Sequence, residues 1–250
     1  MEAIVTSLRI LALPLTLAAG LSLAPARPVP ASPPQIRAVP YDTLEARLGG
    51  RITFDTLPRR AEPGFLFDAP LRIGRAWIGE HFAGQILTKR RDRNGIGFDG
   101  PPETPPRPPL TIRPGPPGAS LSVAYHRGFG SNALFPLGPE GFPALQSRGE
   151  GAVAVLFDQA QSAVGLRVHT AYPDPLGAVS SGRGGLELFF YTRQGTLLAH
   201  LHLRLDQGLN ELGFQRAGNR RDIAGVLILN TDPGGVAIDD ILHDIALLLG

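Results

Sequence analysis

The chain has 250 residues, a formal net charge of +2, no cysteine, 31 glycines and 25 prolines. Zero cysteine excludes disulfides, thiolate metal sites and thiol catalysis. The small net positive charge, with no dense Lys/Arg block, argues against a nucleic-acid partner. The many turn residues favour short strands over long helices, and the length suits one large domain or two small ones.

Residues 1–26 are predicted to be a secretory signal peptide. An apolar stretch from Ile10 to Leu23 is followed by Ala24-Pro25-Ala26, a small-x-small site of the kind that signal peptidase cuts. The stretch is shorter than the roughly 20 residues of a membrane-spanning helix. We therefore expect a secreted or periplasmic protein with no membrane span in the mature chain. An uncleaved N-terminal anchor is the alternative.

Residues 27–49 are predicted to be a proline-rich linker, with one or two helical turns in "YDTLEARLGG". A single folded domain is predicted over residues 50–250. It opens with "RITFDTLP", in which Ile52 and Phe54 alternate with polar residues as in a half-buried strand.

Two later segments, residues 92–118 and 132–145, are predicted to be long irregular loops because both are rich in proline and glycine. Proline cannot donate a hydrogen bond to a sheet, so the first segment is expected to hold at most one short strand, at residues 110–112.

From residue 151 onward, short β-rich runs alternate with turn residues, which is typical of an antiparallel sandwich or barrel. The turn "RQGT" predicts a tight hairpin. The predicted strands are "AVAVLFD", "AVGLRVHT", "LELFFYT", "TLLAHLHLRL", "NELGFQR", "IAGVLILN" and "VAIDDILH".

The order of these motifs resembles a known class of protein. "ITFDTLP", "GRAWIGEHFAG", "VAVLFDQAQSAVGLRV", "LELFFYTRQGTLLAHLHL", "DIAGVLILN" and "VAIDDI" follow one another as in secreted bacterial jelly-roll domains of surface and exopolysaccharide-associated proteins. More distantly, the chain is similar to MAM-type and carbohydrate-binding-module sandwiches. The resemblance implies an all-β, antiparallel two-sheet jelly-roll sandwich with long Pro/Gly-rich loops. It also implies a structural calcium ion, held by Asp55 and by Asp239 or Asp240.

The Asp239-Asp240 pair is also unusual on its own chemistry. Neighbouring strand residues point to opposite faces, so one of the two carboxylates would point inward unless a bulge re-aims it. A buried lone carboxylate usually acquires a cation or a proton, and calcium prefers six to eight oxygen ligands. The alternative is that both aspartates are exposed at the end of a strand.

His200 and His202 are two residues apart on a predicted strand and therefore share a face. The context loosely resembles a cupin metal motif, which would need a third ligand such as His243. This favours, as an alternative function, a metal-dependent β-barrel enzyme. In the other interpretation the histidines lie on the solvent face of an amphipathic strand whose core face comprises Leu201, Leu203 and Leu205.

Three aromatic residues, Trp77, Tyr125 and Tyr172, are candidate ligand-binding residues because flat rings stack on sugars. Trp77 could instead belong to the core. We find no catalytic nucleophile motif and no paired glutamates for glycoside hydrolysis. The leading hypothesis is an exported, non-enzymatic module that binds a carbohydrate or another cell-surface partner. A structural envelope or matrix protein without a small ligand is a further alternative.

Overall fold

The computed structural model of the protein describes residues 35–92, 94–170, 184–231 and 234–245. The helices are α1 (Tyr41–Arg47) and two short 3₁₀ turns, Leu145–Ser147 and Ala217–Asn219. No helix among the described residues has the length and apolarity needed to cross a membrane. The strands are β1 (Ile36–Val39), β2 (Gly50–Ile52), β3 (Phe65–Phe67), β4 (Leu71–Ile73), β5 (Ala76–Gly79), β6 (His81–Phe82), β7 (Leu87–Arg91), β8 (Gly97–Pro102), β9 (Ile112–Arg113), β10 (Leu121–His126), β11 (Ser131–Pro136), β12 (Ala152–Gln161), β13 (Ala163–Thr170), β14 (Gly185–Tyr191), β15 (Leu197–Arg204), β16 (Gly208–Arg216), β17 (Ile223–Asn230) and β18 (Val236–His243).

The strands form two main antiparallel sheets. One has eight strands in the order β1-β16-β13-β18-β11-β10-β3, with β2 also pairing with β18. The other has six strands in the order β15-β14-β17-β12-β5-β4. The pairs β6-β9 and β7-β8 form two small additional sheets. The described residues all belong to one compact unit.

The two main sheets enclose a shared apolar core, and this defines a sandwich. Period-2 alternation on β14 places Leu186, Leu188 and Phe190 inside. Phe190 meets Phe214 of β16 in the opposite sheet, with ring centroids 5.3 Å apart. The prediction of an all-β antiparallel sandwich is confirmed. The jelly-roll assignment stays a prediction.

All seven β-rich runs predicted after residue 151 are strands, β12 to β18, with ends within a few residues of those expected. The turn between β14 and β15 closes with the Thr196 carbonyl accepting from the Thr192 N–H at 2.9 Å. Gly195 has a φ of +75°, a conformation that glycine adopts without a Cβ penalty. The hairpin prediction is therefore confirmed.

The predicted linker boundary is wrong. Ile36–Val39 pairs with β16, and the helix that follows buries Tyr41 and Leu44. The helix lies over the outer face of the eight-stranded sheet, where Tyr41 and Leu44 pack with Leu242. Prolines flank this edge strand without interrupting it, because an edge strand can have proline at its ends. Composition alone therefore concealed the strand, whereas the helical turns predicted in "YDTLEARLGG" are confirmed by α1.

The prediction of an irregular loop over residues 132–145 is wrong in its first half. Ser131–Pro136 is β11, which lies between β10 and β18 in the eight-stranded sheet. The prolines of this segment begin only at Pro136, where the strand ends. The segment 92–118 likewise holds β8, at Gly97–Pro102, in addition to a short strand at Ile112–Arg113.

The chain segment that contains β6 to β9 packs over the middle of the six-stranded sheet's outer face. Phe82, Leu110 and Ile112 form a second apolar cluster there with Phe189 and Tyr191 of β14. The edge strand β15 contributes no residue to that cluster. The outer face of β15 therefore presents its side chains to solvent.

Candidate metal centre

Three side chains with metal-ligating atoms meet on the outer face of the β14–β15 hairpin. Glu187 lies on β14, directly opposite His202 of β15, and His200 is opposite Phe189. One ligating atom from each of Glu187, His200 and His202 lies within 4.8 Å of the others. Within the described ranges, this is the one group of three or more His, Asp or Glu residues with such convergence.

The carboxylate of Glu187 lies beside both imidazoles, whose ring centroids are 4.2 Å apart. Its Oε2 is 2.9 Å from His200 Nε2, and its Oε1 is 3.8 Å from His202 Nδ1. The His200 ring stacks on Phe189 with a centroid distance of 3.9 Å and an interplanar angle of 16°. This stacking fixes the plane of the His200 ring. His202 is freer, since its side chain is 68% exposed.

Among the residues that the structure describes, no permanent cation balances the charge at this site. Among the described residues, the ion-pair partners of Glu187 are the two histidines alone, and a histidine carries a charge only when it is protonated. The Glu187 side chain is 11% exposed, so its carboxylate is substantially desolvated. A bound divalent cation would neutralise it without requiring an imidazole to hold a second proton.

The donor set determines which metal fits. Two imidazole nitrogens and one carboxylate oxygen suit zinc and neighbouring transition metals, whereas calcium prefers a shell of oxygens. Three protein ligands leave one position of a tetrahedral site open to water or to another donor. The donor set of Glu187, His200 and His202 therefore favours a transition metal.

The sequence identified two members of this group and missed the third. The expected additional ligand, His243, lies on β18 in the other sheet, where its Nδ1 is 3.0 Å from the Asp244 carbonyl oxygen. Glu187 supplies the carboxylate instead. The signal was present in "LELFF", because the strand alternation places Glu187 on the face opposite Leu186 and Leu188.

The amphipathic interpretation of β15 is confirmed together with the convergence of its histidines. The core side of the strand is formed by apolar residues that pack against the main cluster: Leu201, Leu203 and Leu205. The histidines occupy the other face, so core packing and metal ligation do not compete.

The three predicted calcium ligands lie at the seam between the first strand of the predicted domain and the last strand. β2 pairs with β18, with Ile52 opposite Ile241, so the expected adjacency of these segments is confirmed. Asp240 has a φ of +48°, and the pairing of β18 with β13 shifts register beside it. Ile238 and Ile241 are both core residues although they are three apart. Asp240 is therefore the extra residue of a β-bulge.

Because of the bulge, the carboxylates of Asp239 and Asp240 contact different partners. The Asp240 carboxylate accepts a hydrogen bond from Arg167 at 2.7 Å and lies 3.2 Å from the Arg51 guanidinium. Asp239 is 2% exposed, and its Oδ2 accepts from the Ser131 hydroxyl at 2.7 Å. Burial raises the pKa of Asp239 to about 6, and the charges of Asp240 and Asp55 act in the same direction.

Asp55 itself is exposed and accepts a hydrogen bond from the Asn132 N–H at 2.9 Å. Asp55, Asp239 and Asp240 do not form a group with three convergent ligating atoms within the described residues. Asp240 is paired with Arg51 and Arg167, which also pair with Glu45 and Glu211. A calcium ion at this seam stays a prediction.

Two of the predicted ligand-binding aromatic residues, Trp77 and Tyr125, lie on different sheets. Trp77 lies on β5 of the six-stranded sheet and is 43% exposed, so it is not a core residue. Tyr125 lies on β10 of the eight-stranded sheet, with the Arg59 guanidinium 3.4 Å from its ring centroid. Tyr172 lies outside the described residues.

A second polar cluster escaped sequence reasoning because its members are scattered along the chain. Lys89 Nζ lies 2.5 Å from Asp99 Oδ1 and 3.7 Å from Glu80 Oε1, and His81 Nδ1 is 2.8 Å from Glu80 Oε2. Burial raises the pKa of Asp99 to about 6 despite the lysine. The ammonium bridges the two carboxylates, and the cluster joins β5 and β6 to β7 and β8.

Comparison with known proteins gives no family assignment. No protein-family model matches the chain, and no curated protein matches it. The resemblance to secreted jelly-roll domains remains a prediction.

Proposed function

We propose that the protein is a metal-binding β-sandwich module that captures a divalent transition-metal ion, zinc above all, through Glu187, His200 and His202. The observation that carries the proposal is the convergence of the three ligating atoms within 4.8 Å on one hairpin. Both histidines and the carboxylate are donors that zinc commonly takes in proteins.

The position of the site supports binding rather than catalysis. His202 is mostly exposed, and the site lies on the outer face of an edge strand, where water has free access. Metal-dependent chemistry generally uses a shaped pocket that excludes water. We propose that the open coordination position of the ion accepts a donor atom from a partner molecule, so that the metal serves as an adhesive contact.

Isothermal titration of metal-free protein with zinc tests this proposal. We expect one ion per chain for the wild type, and an affinity loss of roughly 100-fold or more for His200→Ala, since even outer-shell changes can reach that size. His81→Ala is a matched control, because His81 also contacts a buried glutamate, at 2.8 Å, but has no second histidine beside it. No stoichiometric zinc, or equal affinities for wild type and His200→Ala, would contradict the proposal.

A second candidate function, glycan binding, is favoured by the exposure of Trp77. Arg72 lies over the Trp77 ring at 5.4 Å and donates two hydrogen bonds to Asp158, at 2.5 and 2.6 Å. A flat ring beside a fixed array of polar donors and acceptors is suited to a sugar, whose apolar face stacks while its hydroxyls bond.

Trp77 is the chain's single tryptophan, so its fluorescence reports directly on this surface. Titration with neutral oligosaccharides should shift the emission and quench it in a saturable way. Leu197→Ala, which changes an exposed apolar residue on β15 of the same sheet, should leave the response intact. An unchanged emission across a glycan panel would rule out this second function.

Export of the protein is a separate proposal, since it depends on residues 1–26, which lie outside the described residues. N-terminal sequencing of protein secreted by a bacterial host tests it. We expect a mature chain that begins at Arg27, whereas an intact Met1 would contradict cleavage.

A further inference from the structure

A groove on the eight-stranded sheet's side of the molecule combines exposed cationic side chains with an aromatic ring. It has a volume of about 520 Å³, within the range of small-molecule sites. Its charged and aromatic lining consists of Arg59, Arg127, Tyr125, His126 and Glu62. The groove is remote in sequence from the β14–β15 hairpin and shares no residue with the metal centre.

The walls of the groove are fixed by the backbone. The Tyr125 N–H donates to the Arg60 carbonyl at 2.8 Å, which ties the segment after β2 to the end of β10. Gly64 has a φ of +80°, and a Cβ there would lie 2.1 Å from the Val123 carbonyl oxygen. This close approach requires glycine, and it holds the segment that carries Arg59 against β10.

The described part of the chain supplies no acidic partner for the two exposed cations of the groove. Arg59 and Arg127 are exposed and have no ion pair or side-chain hydrogen bond with any residue that the structure describes. The one acidic residue of the lining, Glu62, is already paired with Arg148. The lining therefore has an excess of positive charge.

The Tyr125 ring positions one of these cations. The Arg59 guanidinium lies 3.4 Å from the ring centroid, so stacking holds its plane while its N–H groups stay available at its edges. The covered face of Tyr125 cannot stack on a sugar at the same time. This argues against the neutral-glycan role that the sequence suggested for Tyr125.

The groove contains a buried polar atom, the Nδ1 of His126, which is 8% exposed. This nitrogen has no hydrogen-bond partner among the described residues. Burial and then the neighbouring His169 lower the pKa of His126 to about 4, so the ring is neutral at neutral pH. A neutral imidazole can donate one hydrogen bond without adding a charge.

We infer that this groove binds the carboxylate or phosphate group of an anionic ligand, with Arg59 and Arg127 as the donors. A guanidinium fork matches both oxyanions through paired hydrogen bonds. Tyr125 acts as a positioning residue, because it orients Arg59 and does not need to touch the ligand.

Calorimetric titration of zinc-free, full-length protein with citrate and with pyrophosphate tests the inference and separates the two anion classes. The neutral trisaccharide maltotriose is the third probe. We expect saturable binding of at least one anion, weakened by salt, and no binding of maltotriose. The variants Arg59→Gln and Arg127→Gln should each weaken anion binding roughly tenfold or more, as expected for loss of charge-assisted hydrogen bonds.

Arg204→Gln is the matched control, because Arg204 is an exposed arginine on the other sheet. It should bind the anion like the wild type. Tyr125→Leu should weaken binding several-fold, with the salt dependence retained. Failure of both anions to bind, equal binding by Arg59→Gln and Arg204→Gln, or preferential binding of maltotriose would each overturn the inference. Because the protein is zinc-free, the outcome is independent of the proposed metal function.

Discussion

The metal centre on β14–β15 and the acidic seam between β2 and β18 are both built from carboxylates on antiparallel strands, yet their chemistry differs. At the seam, arginine side chains supply the positive charge for Asp240, and a serine hydroxyl satisfies one oxygen of Asp239. At the hairpin, Glu187 has two imidazoles and no permanently charged partner among the described residues.

The chemistry of a buried carboxylate therefore depends on the side chains around it. The sequence drew attention to the seam because two adjacent aspartates are conspicuous in an apolar strand. In the fold, a bulge places Asp240 beside two arginines, and a calcium ion at the seam stays a prediction. The less conspicuous "LELFF" strand instead brings its glutamate to a histidine pair.

We expect the largest change in the free energy of unfolding from a substitution of Asp239. An aspartate in the unfolded chain loses its proton near pH 3.9, whereas burial keeps Asp239 protonated in the fold up to about pH 6. The folded state therefore binds more protons between these values, and stability falls as the pH rises through this window. Asp239→Asn should increase the free energy of unfolding by about 3 kcal/mol at pH 7.5 and change it little at pH 4.

Urea denaturation at the two pH values measures this effect. Asp55→Asn is the control, since Asp55 is exposed and an asparagine can still accept from the Asn132 N–H. If the seam holds calcium, the sign reverses: with calcium present, Asp239→Asn would lower stability at pH 7.5.

The next largest change in stability is expected from zinc binding at the β14–β15 hairpin. Zinc that binds only the folded state should increase the free energy of unfolding by about 2.7 kcal/mol at 100 times its dissociation constant. The double variant His200→Ala/His202→Ala should lose the whole increment. Denaturant titrations with and without zinc measure this, and calcium at the same concentration should have no such effect at the hairpin. A zinc increment that survives in the double variant would place the ion elsewhere.

A smaller change in stability is expected from loss of the ion pair between Arg167 and Asp240. Arg167 donates to Asp240 and to Glu211, at 2.7 and 2.8 Å. Arg167→Gln should lower stability by about 1 kcal/mol at low salt, because the pair is partly exposed and solvent screens it. The loss should shrink in 1 M salt. An equal loss at both salt concentrations would indicate a packing role instead.

The smallest effect comes from Glu187 in the absence of metal. Glu187→Gln in zinc-free protein should change stability by less than about 1 kcal/mol, since the pairs with the histidines are partly exposed. The same variant should weaken zinc binding by at least roughly tenfold, since it removes a ligand. Thermal unfolding and zinc titration of the one variant separate these roles, and a large zinc-free loss would make Glu187 a structural residue.

Much of the fold could be read from local pattern. Period-2 alternation and glycine-marked turns define β12 to β18, and the turn at Gly195 fixes the β14–β15 hairpin. β11 was missed because prolines crowd its C-terminal end, and β1 because they flank it on both sides. Whether such a segment is ordered depends on its tertiary partners, here β18 and β16, and local composition does not contain that information.

The site was predictable only in part for the same reason. The shared face of His200 and His202 follows from spacing within one strand. The partnership with Glu187 depends on cross-strand register, which the turn geometry sets. The bulge at Asp240 is a register change between β18 and β13, so alternation along "VAIDDILH" misassigns the directions of its carboxylates.

The central claim is that Glu187, His200 and His202 hold one transition-metal ion. A crystal of the full-length protein soaked in zinc, with anomalous data collected on both sides of the zinc absorption edge, tests it most directly. We expect one strong anomalous peak at about 2.0–2.2 Å from a Glu187 oxygen, His200 Nε2 and a His202 ring nitrogen. No peak at the hairpin in a zinc-saturated crystal, or a dominant peak at the Asp239 seam, would contradict it.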